Sequence, residues 1–206
     1  LIDLLREHPR FKVELADADY CDRVIKAAPL HDIGKVGIAD AVLLKPGKLT
    51  PEEFEVMKGH AMIGADALGE SIKQVLAARA ARGLRGDGDF SGSALDFLEV
   101  AQQIAGSHHE KWDGSGYPQG LKGEEIPLPA RLMSVADVFD ALISRRHYKE
   151  PYPDEQVMQI MREGRGQHFD PDVADAFLHN VGKFAEIAQR YRDEHAEESG
   201  PTLLSP

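Results

Sequence analysis

Several histidine and aspartate side chains of this sequence stand inside an apolar helical segment or where such a segment ends. The adjacent pair His31-Asp32 follows one apolar run, the pair His108-His109 follows another, and His60 and Asp137 lie within two more. Burying a carboxylate in such a segment is costly unless the group is paired or coordinated. Any one of these residues alone is most simply a hydrogen-bonded core residue. Four imidazoles and two carboxylates together indicate a metal site.

The donor types limit the metal. Nitrogen and oxygen ligands without a thiolate suit iron, manganese or another divalent first-row ion. The neighbouring His31 and Asp32 can offer an imidazole and a carboxylate to the same ion. A bridging carboxylate beside an imidazole is also what a two-metal hydrolytic site requires.

Helices must bring these side chains together. Residues 20–30 predict a helix that leads to His31. Thr50, Pro51 and Glu53 predict a capping box that opens the next helix. The spacing of four apolar residues predicts the buried stripe of that helix, with His60 on the same face; these residues are Phe54, Met57, Ala61 and Ala65.

The second half of the chain follows the same pattern. A helix from Ser93 or Ala94 to Gly106 continues in register to His108, and an apolar helix over 130–144 carries Asp137. Asp140 follows Asp137 by one turn. Asp154 and Asp170 predict the N-caps of two further helices, the second extending to about His195. The fold class is therefore all-α, a helical bundle with the metal site in its core.

Other segments predict less order. Residues 70–93 contain many glycines and few apolar side chains towards their end, and we expect a mobile loop, more simply a surface loop than a lid. Residues 1–196 are expected to form one domain and 197–206 a frayed tail. Because the sequence begins at Leu1 without a Met or a signal-peptide pattern, an N-terminally incomplete fragment is expected.

Composition excludes some functions. With 206 residues and a formal charge of −11, the chain is a poor candidate for binding long nucleic acid, which requires clustered cations. No apolar run reaches bilayer length, so no membrane span is expected in this fragment. Cys21 is the only cysteine, which rules out an intrachain disulfide and fits a cytoplasmic location.

A longer sequence motif narrows the kind of metal site that the chain is expected to form. His31-Asp32-Ile33-Gly34-Lys35 is followed by residues 108–118, which read HHEKWDGSGYP. Together they resemble the HD-GYP family within the HD hydrolase superfamily, over about residues 27–177. The HD pair alone is a weak signal, whereas the second string is a strong one.

The resemblance implies an all-helical phosphodiesterase that opens cyclic di-GMP to pGpG, and in some cases continues to GMP. It implies two divalent ions, iron or manganese, with Asp32 bridging them and a third ion not excluded. The implied metal ligands are His31, Asp32, His60, His108, His109 and Asp137. Asp32 and Lys35 are the implied catalytic residues, and the implied substrate contacts are Lys35, Tyr117, Asp140, Arg146 and Lys149.

Three functions are carried forward. The first is hydrolysis of cyclic di-GMP in bacterial second-messenger signalling. The second is hydrolysis of another cyclic dinucleotide such as cyclic GMP-AMP. The third is a module without turnover that senses cyclic di-GMP or docks a GGDEF-domain protein through residues 116–118. The family also implies an upstream receiver or sensor domain and allows a homodimer.

Overall fold

The computed structural model describes residues 1–82, 94–144 and 151–198, the last eight of these by their backbone alone. Within them the chain is helical, and the only pairing of strand type is an isolated bridge between Arg165 and Phe169. The all-α prediction is thus confirmed. The α-helices, in chain order, are α1 (Ile2–Leu5), α2 (Ala18–Ala27), α3 (Asp40–Leu43), α4 (Pro51–Lys58), α5 (His60–Ala81), α6 (Ala94–Ser107), α7 (Leu128–Ile143), α8 (Asp154–Glu163), α9 (Pro171–Leu178) and α10 (Val181–Glu198). Short 3₁₀ helices cover Glu14–Ala16, Ala28–Leu30, Ile33–Gly37 and Gly123–Glu125.

Two of the predicted helix starts are confirmed. The Thr50 side chain accepts from the Glu53 backbone N–H, and the Glu53 carboxylate accepts from the Thr50 N–H, which completes the capping box. The Asp170 carboxylate accepts from the Asp172 N–H at the start of α9. The Asp154 prediction is wrong by one residue, since Pro153 is the N-cap of α8 and Asp154 is its first helical residue.

Three predicted boundaries need correction. Residues 70–81 form the second half of α5 instead of the expected loop, because their alanine-rich stretch has high helix propensity. The rest of that predicted loop, 83–93, lies outside the described residues. The helix expected after Asp170 is divided into α9 and α10. The predicted tail begins inside α10, and residues 199–206 lie outside the described part.

The helix predicted after Thr50 is also two helices, with Gly59 between α4 and α5. His60, Ala61 and Ala65 of the predicted stripe are buried, but Phe54 is 47% exposed. Phe54, near the start of α4, therefore lies outside the buried stripe, which begins at His60.

Helix α6 lies at the centre of the domain and packs against α2, α5 and α7. Small side chains let α5 and α6 approach closely: a Cβ added at Gly106 would lie 3.1 Å from the Cβ of Ala65. Ile104 and Val135 are fully buried in the core that joins these helices. This packing sets the beginning of α5 beside the end of α6, so His60 lies near His108 and His109.

No helix in the described parts of the chain combines the length and the apolar character that crossing a lipid bilayer requires.

Candidate metal centre

Four predicted ligands converge at the ends of α5 and α6. Asp32, His60, His108 and His109 each offer one ligand atom, and these atoms all lie within 4.8 Å of one another. We call these four residues the histidine cluster. A carboxylate and three imidazoles at this spacing form a donor set typical of first-row divalent metals.

A close backbone contact holds Asp32 beside His60. Asp32 precedes the 3₁₀ helix Ile33–Gly37, which packs on the first turns of α5. A Cβ at Gly34 would lie 1.9 Å from the His60 carbonyl oxygen and 2.4 Å from the Gly64 nitrogen. Only a residue without a side chain fits there, so Gly34 is required for the approach.

Backbone carbonyls orient three of the imidazoles. Nδ1 of His31, His60 and His108 lies 2.9, 2.7 and 3.0 Å from the carbonyl oxygens of residues 28, 57 and 104. A carbonyl only accepts, so each Nδ1 carries the proton, and Nε2 of His60 and of His108 keeps its lone pair. His31 Nε2 instead donates to Asp32 when its ring is protonated. A hydrogen bond from Nδ1 to a carbonyl fixes the tautomer and the orientation of metal-ligating histidines in this way.

Nε2 of His108 is the most informative atom of the histidine cluster. It is buried and has no hydrogen-bond partner. Leaving a buried polar atom unsatisfied costs about 1–3 kcal/mol. A metal ion coordinated by this lone pair would satisfy it, so the residues present fit a divalent ion.

Burial keeps two of the imidazoles neutral. Desolvation and the neighbouring charge of His31 lower the pKa of His108 to about 4. Desolvation, with His108 beside it, lowers the pKa of His109 to about 2. Both rings are therefore neutral at pH 7, which is the form that binds metal.

The Asp32 carboxylate is ionised for a different reason. Burial alone would raise its pKa, but hydrogen bonds from His31 and Lys35 outweigh burial and hold the pKa well below its usual range. Burial acts against the charged form of His31 too, yet its bond to Asp32 raises the His31 pKa.

The other two predicted ligands adjoin the histidine cluster. His31 Nε2 lies 3.2 Å from Asp32 Oδ2 and 3.9 Å from Asp137 Oδ1. Asp137 is half-buried on α7. All six predicted ligands are therefore neighbours in space, although they span more than a hundred residues of sequence.

Only two of the five predicted substrate contacts are seen beside the histidine cluster in the part of the chain that the structure describes. Lys35 forms an ion pair with Asp32 Oδ2. Tyr117 stacks on His109, with ring centroids 4.8 Å apart. Asp140 is exposed, and its carboxylate accepts from the Ser144 hydroxyl, so no contact brings it to the histidine cluster. Arg146 and Lys149 lie outside the described residues.

Glu110 is a site residue that sequence reasoning missed. It directly follows His109, is 1% exposed, and accepts from the backbone N–H groups of Gln119 at 2.7 Å and Leu121 at 3.1 Å. The loop that carries Tyr117 is thereby tied to the end of α6. An acidic residue between a histidine pair and a glycine-rich loop is the signal that could have indicated this role.

Comparisons with known proteins agree with this geometry. A family model described as "HD domain" matches residues 12–173. A Vibrio cholerae protein named "Probable cyclic di-GMP phosphodiesterase" is 54% identical over 175 residues, which are 85% of this chain and 36% of that protein. A Thermotoga maritima "Cyclic di-GMP phosphodiesterase" is 42% identical over 174 residues, 84% of this chain and 41% of that protein.

A further relative differs in the substrate it is named for. The Vibrio cholerae "3'3'-cGAMP-specific phosphodiesterase 2" is 38% identical over 173 residues, 84% of this chain and 29% of that protein. The chain thus spans about a third of the length of the curated relatives it matches. Since the family model covers most of the sequence and the HD pair stands in the candidate metal centre, this chain belongs to the HD domain family.

Proposed function

We propose that this domain is a metal-dependent phosphodiesterase that hydrolyses cyclic di-GMP to pGpG, GMP or both, in bacterial second-messenger signalling. One observation carries the proposal: the ligand atoms of the histidine cluster converge around a buried His108 Nε2 that has no partner. The relatives named for this activity, at 42% and 54% identity, support it.

Two ions are proposed because the Asp32 carboxylate faces two groups of ligands. Its Oδ1 lies 3.4 Å from His60 Nε2 and 3.9 Å from His108 Nε2. Its Oδ2 lies 3.2 Å from His31 Nε2, with Asp137 beyond. We infer that His60, His108 and His109 would hold one ion and that His31 and Asp137 would hold a second, with Asp32 available to both. Iron and manganese suit these donors best, and a third ion remains a prediction of the family resemblance.

The chain supplies the rest of the chemistry. Bound divalent ions would neutralise phosphoryl oxygens and lower the pKa of a water molecule towards 7. The Lys35 ammonium, 40% exposed at the edge of the site, is proposed to neutralise phosphate charge. Arg146 and Lys149 are proposed as further phosphate contacts, and Asp140 as a residue near the substrate. The neutral imidazoles add no positive charge to compete with metal.

A second cyclic dinucleotide is the alternative substrate. The relative named for 3'3'-cGAMP also matches 84% of this chain, so similarity over most of the domain is compatible with either ring. Higher identity to the relatives named for cyclic di-GMP favours the first substrate. A module without turnover is disfavoured, because docking alone gives no reason to keep all six candidate ligands.

Further assignments stay predictions. The upstream receiver or sensor domain, a GGDEF-domain partner, a homodimer and a cytoplasmic location are expected from the family resemblance and from the composition. None of them is needed for the chemistry above.

The test is turnover by protein purified without oxygen and loaded with Fe²⁺ or Mn²⁺. We expect conversion of cyclic di-GMP to pGpG or GMP, measured by chromatography. Asp32→Ala should abolish it with helical content unchanged, and Lys35→Ala should raise KM or lower kcat while metal content stays the same. His179→Gln, at an exposed histidine of α9's C-cap, is the matched control. An inactive metal-loaded wild type, or an active Asp32→Ala, would contradict the proposal.

A further inference from the structure

A row of aromatic rings leads outward from the histidine cluster. The His109 ring stacks on Tyr117 with centroids 4.8 Å apart. The Tyr117 ring meets Phe54 edge to face, with centroids 6.4 Å apart. Phe54 is 47% exposed, although a buried position was expected from its helical spacing. A large aromatic side chain so exposed beside a candidate active site offers a surface on which a planar ligand can stack.

A lysine lies over the same two rings. The Lys58 ammonium is 5.5 Å from the Tyr117 ring centroid and 5.7 Å from that of Phe54, within the range of cation–π attraction. The ammonium also forms an ion pair with Glu55 at 2.6 Å. The pair as a whole is neutral, so it is a poor site for a phosphate. It suits an uncharged group that carries both hydrogen-bond acceptors and donors.

We propose that Phe54, Tyr117 and Lys58 form a nucleobase subsite for the cyclic dinucleotide, an inference that rests on the proposed function. The base stacks on Phe54, and the Tyr117 ring, at 82° to Phe54 and stacked on His109, closes one side of the subsite. Lys58 donates to guanine O6, and Glu55, which pairs with Lys58, accepts from the neighbouring N1–H. Adenine presents an amino donor in place of O6, so Lys58 favours guanine.

The local structure gives this subsite a fixed position. Phe54 and Lys58 are four residues apart on α4 and share one face. The capping box at Thr50 fixes the start of α4, and His60 follows its end by two residues. The base subsite and the histidine cluster are thereby linked through one short turn at Gly59.

Steady-state kinetics of metal-loaded protein test the stacking role. Phe54→Ala should raise KM for cyclic di-GMP about 5- to 50-fold, the effect of losing one stacked base, with kcat changed less than about twofold. Phe54→Trp should restore KM. Val56→Ala is the matched control, since Val56 is 49% exposed on the same helix and offers no aromatic ring for stacking. An unchanged KM in Phe54→Ala overturns the proposal.

The base preference tests Lys58. We expect Lys58→Met to lower the ratio of kcat/KM for cyclic di-GMP to that for cyclic di-AMP, which offers no guanine, about tenfold, and Lys58→Arg to retain part of it. An unaltered ratio overturns the role of Lys58 in reading the base.

Direct binding of GMP, measured by calorimetry on the same variants, separates the two proposals. GMP affinity should fall in Phe54→Ala about as far as KM rises. If the wild type does not hydrolyse cyclic di-GMP, the proposed function fails. If it does, and Phe54→Ala matches the wild type in both KM and GMP affinity, only the base subsite fails.

Discussion

Two carboxylates in this domain are set among cationic or potentially cationic side chains, and they are satisfied in opposite ways. Asp170 is wholly buried and accepts from Arg10 Nη1 and Nη2, from Arg131 Nη1 and from the Asp172 N–H, at 2.8–3.0 Å. Asp32 is half-buried, pairs with Lys35 and otherwise faces imidazole nitrogens that carry lone pairs. We call Arg10, Arg131, Asp170 and Asp172 the arginine cluster.

The difference separates a structural site from a binding site. Each Asp170 carboxylate oxygen accepts from two N–H donors, so this carboxylate has no lone pair left for a metal. The one orphaned atom of the arginine cluster in the described structure, Arg131 Nε, is a donor and cannot bind a cation. The arginine cluster joins the chain's beginning to α7 and α9, with Arg10 also over the Trp112 ring. In the histidine cluster, Asp32 Oδ1 and the unpartnered His108 Nε2 are two acceptors 3.9 Å apart, and a cation between them would satisfy both.

Removing the carboxylate charge should therefore destabilise the domain more at Asp170 than at Asp32. Asp170→Asn leaves the buried Arg131 guanidinium and the partly exposed Arg10 guanidinium facing an amide, and we expect a loss of about 3–5 kcal/mol of unfolding free energy. Asp32→Asn should cost about 1–2 kcal/mol in metal-free protein, because its bonds from Lys35 and His31 are lost at a partly solvated site. Urea unfolding followed by circular dichroism measures both. Equal losses would contradict the comparison.

The approach of Asp32 to His60 can be tested at Gly34. In Gly34→Ala the new Cβ would overlap the His60 carbonyl oxygen, so the two segments must separate. We expect a loss of about 1–3 kcal/mol of unfolding free energy and weaker metal binding. Gly182→Ala is the matched control, since a Cβ there meets nothing within 4 Å. Intact metal affinity in Gly34→Ala would show that the contact does not position the ligands.

The loop behind His109 should respond to Glu110→Gln. A carboxamide supplies one acceptor oxygen where the carboxylate supplies two, so one N–H of the pair from Gln119 and Leu121 meets an NH₂ donor. We expect a cost of about 1–3 kcal/mol and faster amide exchange at those two positions. Hydrogen exchange read by mass spectrometry measures this. Unchanged protection of both amides would show that Glu110 does not hold this loop to the end of α6.

The smallest expected effect is a pH dependence at His168, near the arginine cluster. Burial, with the charge of Lys111, lowers the pKa of His168 to about 4, while the unfolded chain has its ordinary value of about 6.5. The unfolded state binds more protons between these values, so stability is fully present above pH 6.5 and falls as pH drops towards 4.

His168→Gln should remove this dependence. Between pH 7 and pH 5 the wild type should lose about 1–2 kcal/mol more unfolding free energy than the variant. Parallel urea unfolding at the two pH values checks this, and identical pH dependence in both proteins would contradict it.

The sequence predicts the candidate ligand residues of this domain better than it predicts the contacts that hold them in place. Residue type and helical spacing were enough to select six candidate ligands, because a polar residue on an apolar helical face is rare without a reason. The caps at Thr50 and Asp170 were also readable, since capping depends on neighbours three residues away at most.

Contacts between residues far apart in the chain could not be predicted from the sequence. Arg10 and Asp170 are 160 residues apart, and local pattern does not connect them. Nor did the apolar spacing reveal that the helix divides at Gly59, because the spacing continues across that residue. The continuation of α5 through residue 81 was hidden by the glycines that follow it.

Metal binding tests the central claim most directly. Metal-stripped protein titrated with Mn²⁺ under anaerobic conditions, with free Mn²⁺ followed by electron paramagnetic resonance, should bind two ions per chain. His108→Gln should lose at least one of them, whereas His179→Gln should keep both. A wild type that binds no Mn²⁺, or a His108→Gln variant that binds as the wild type does, would contradict the account.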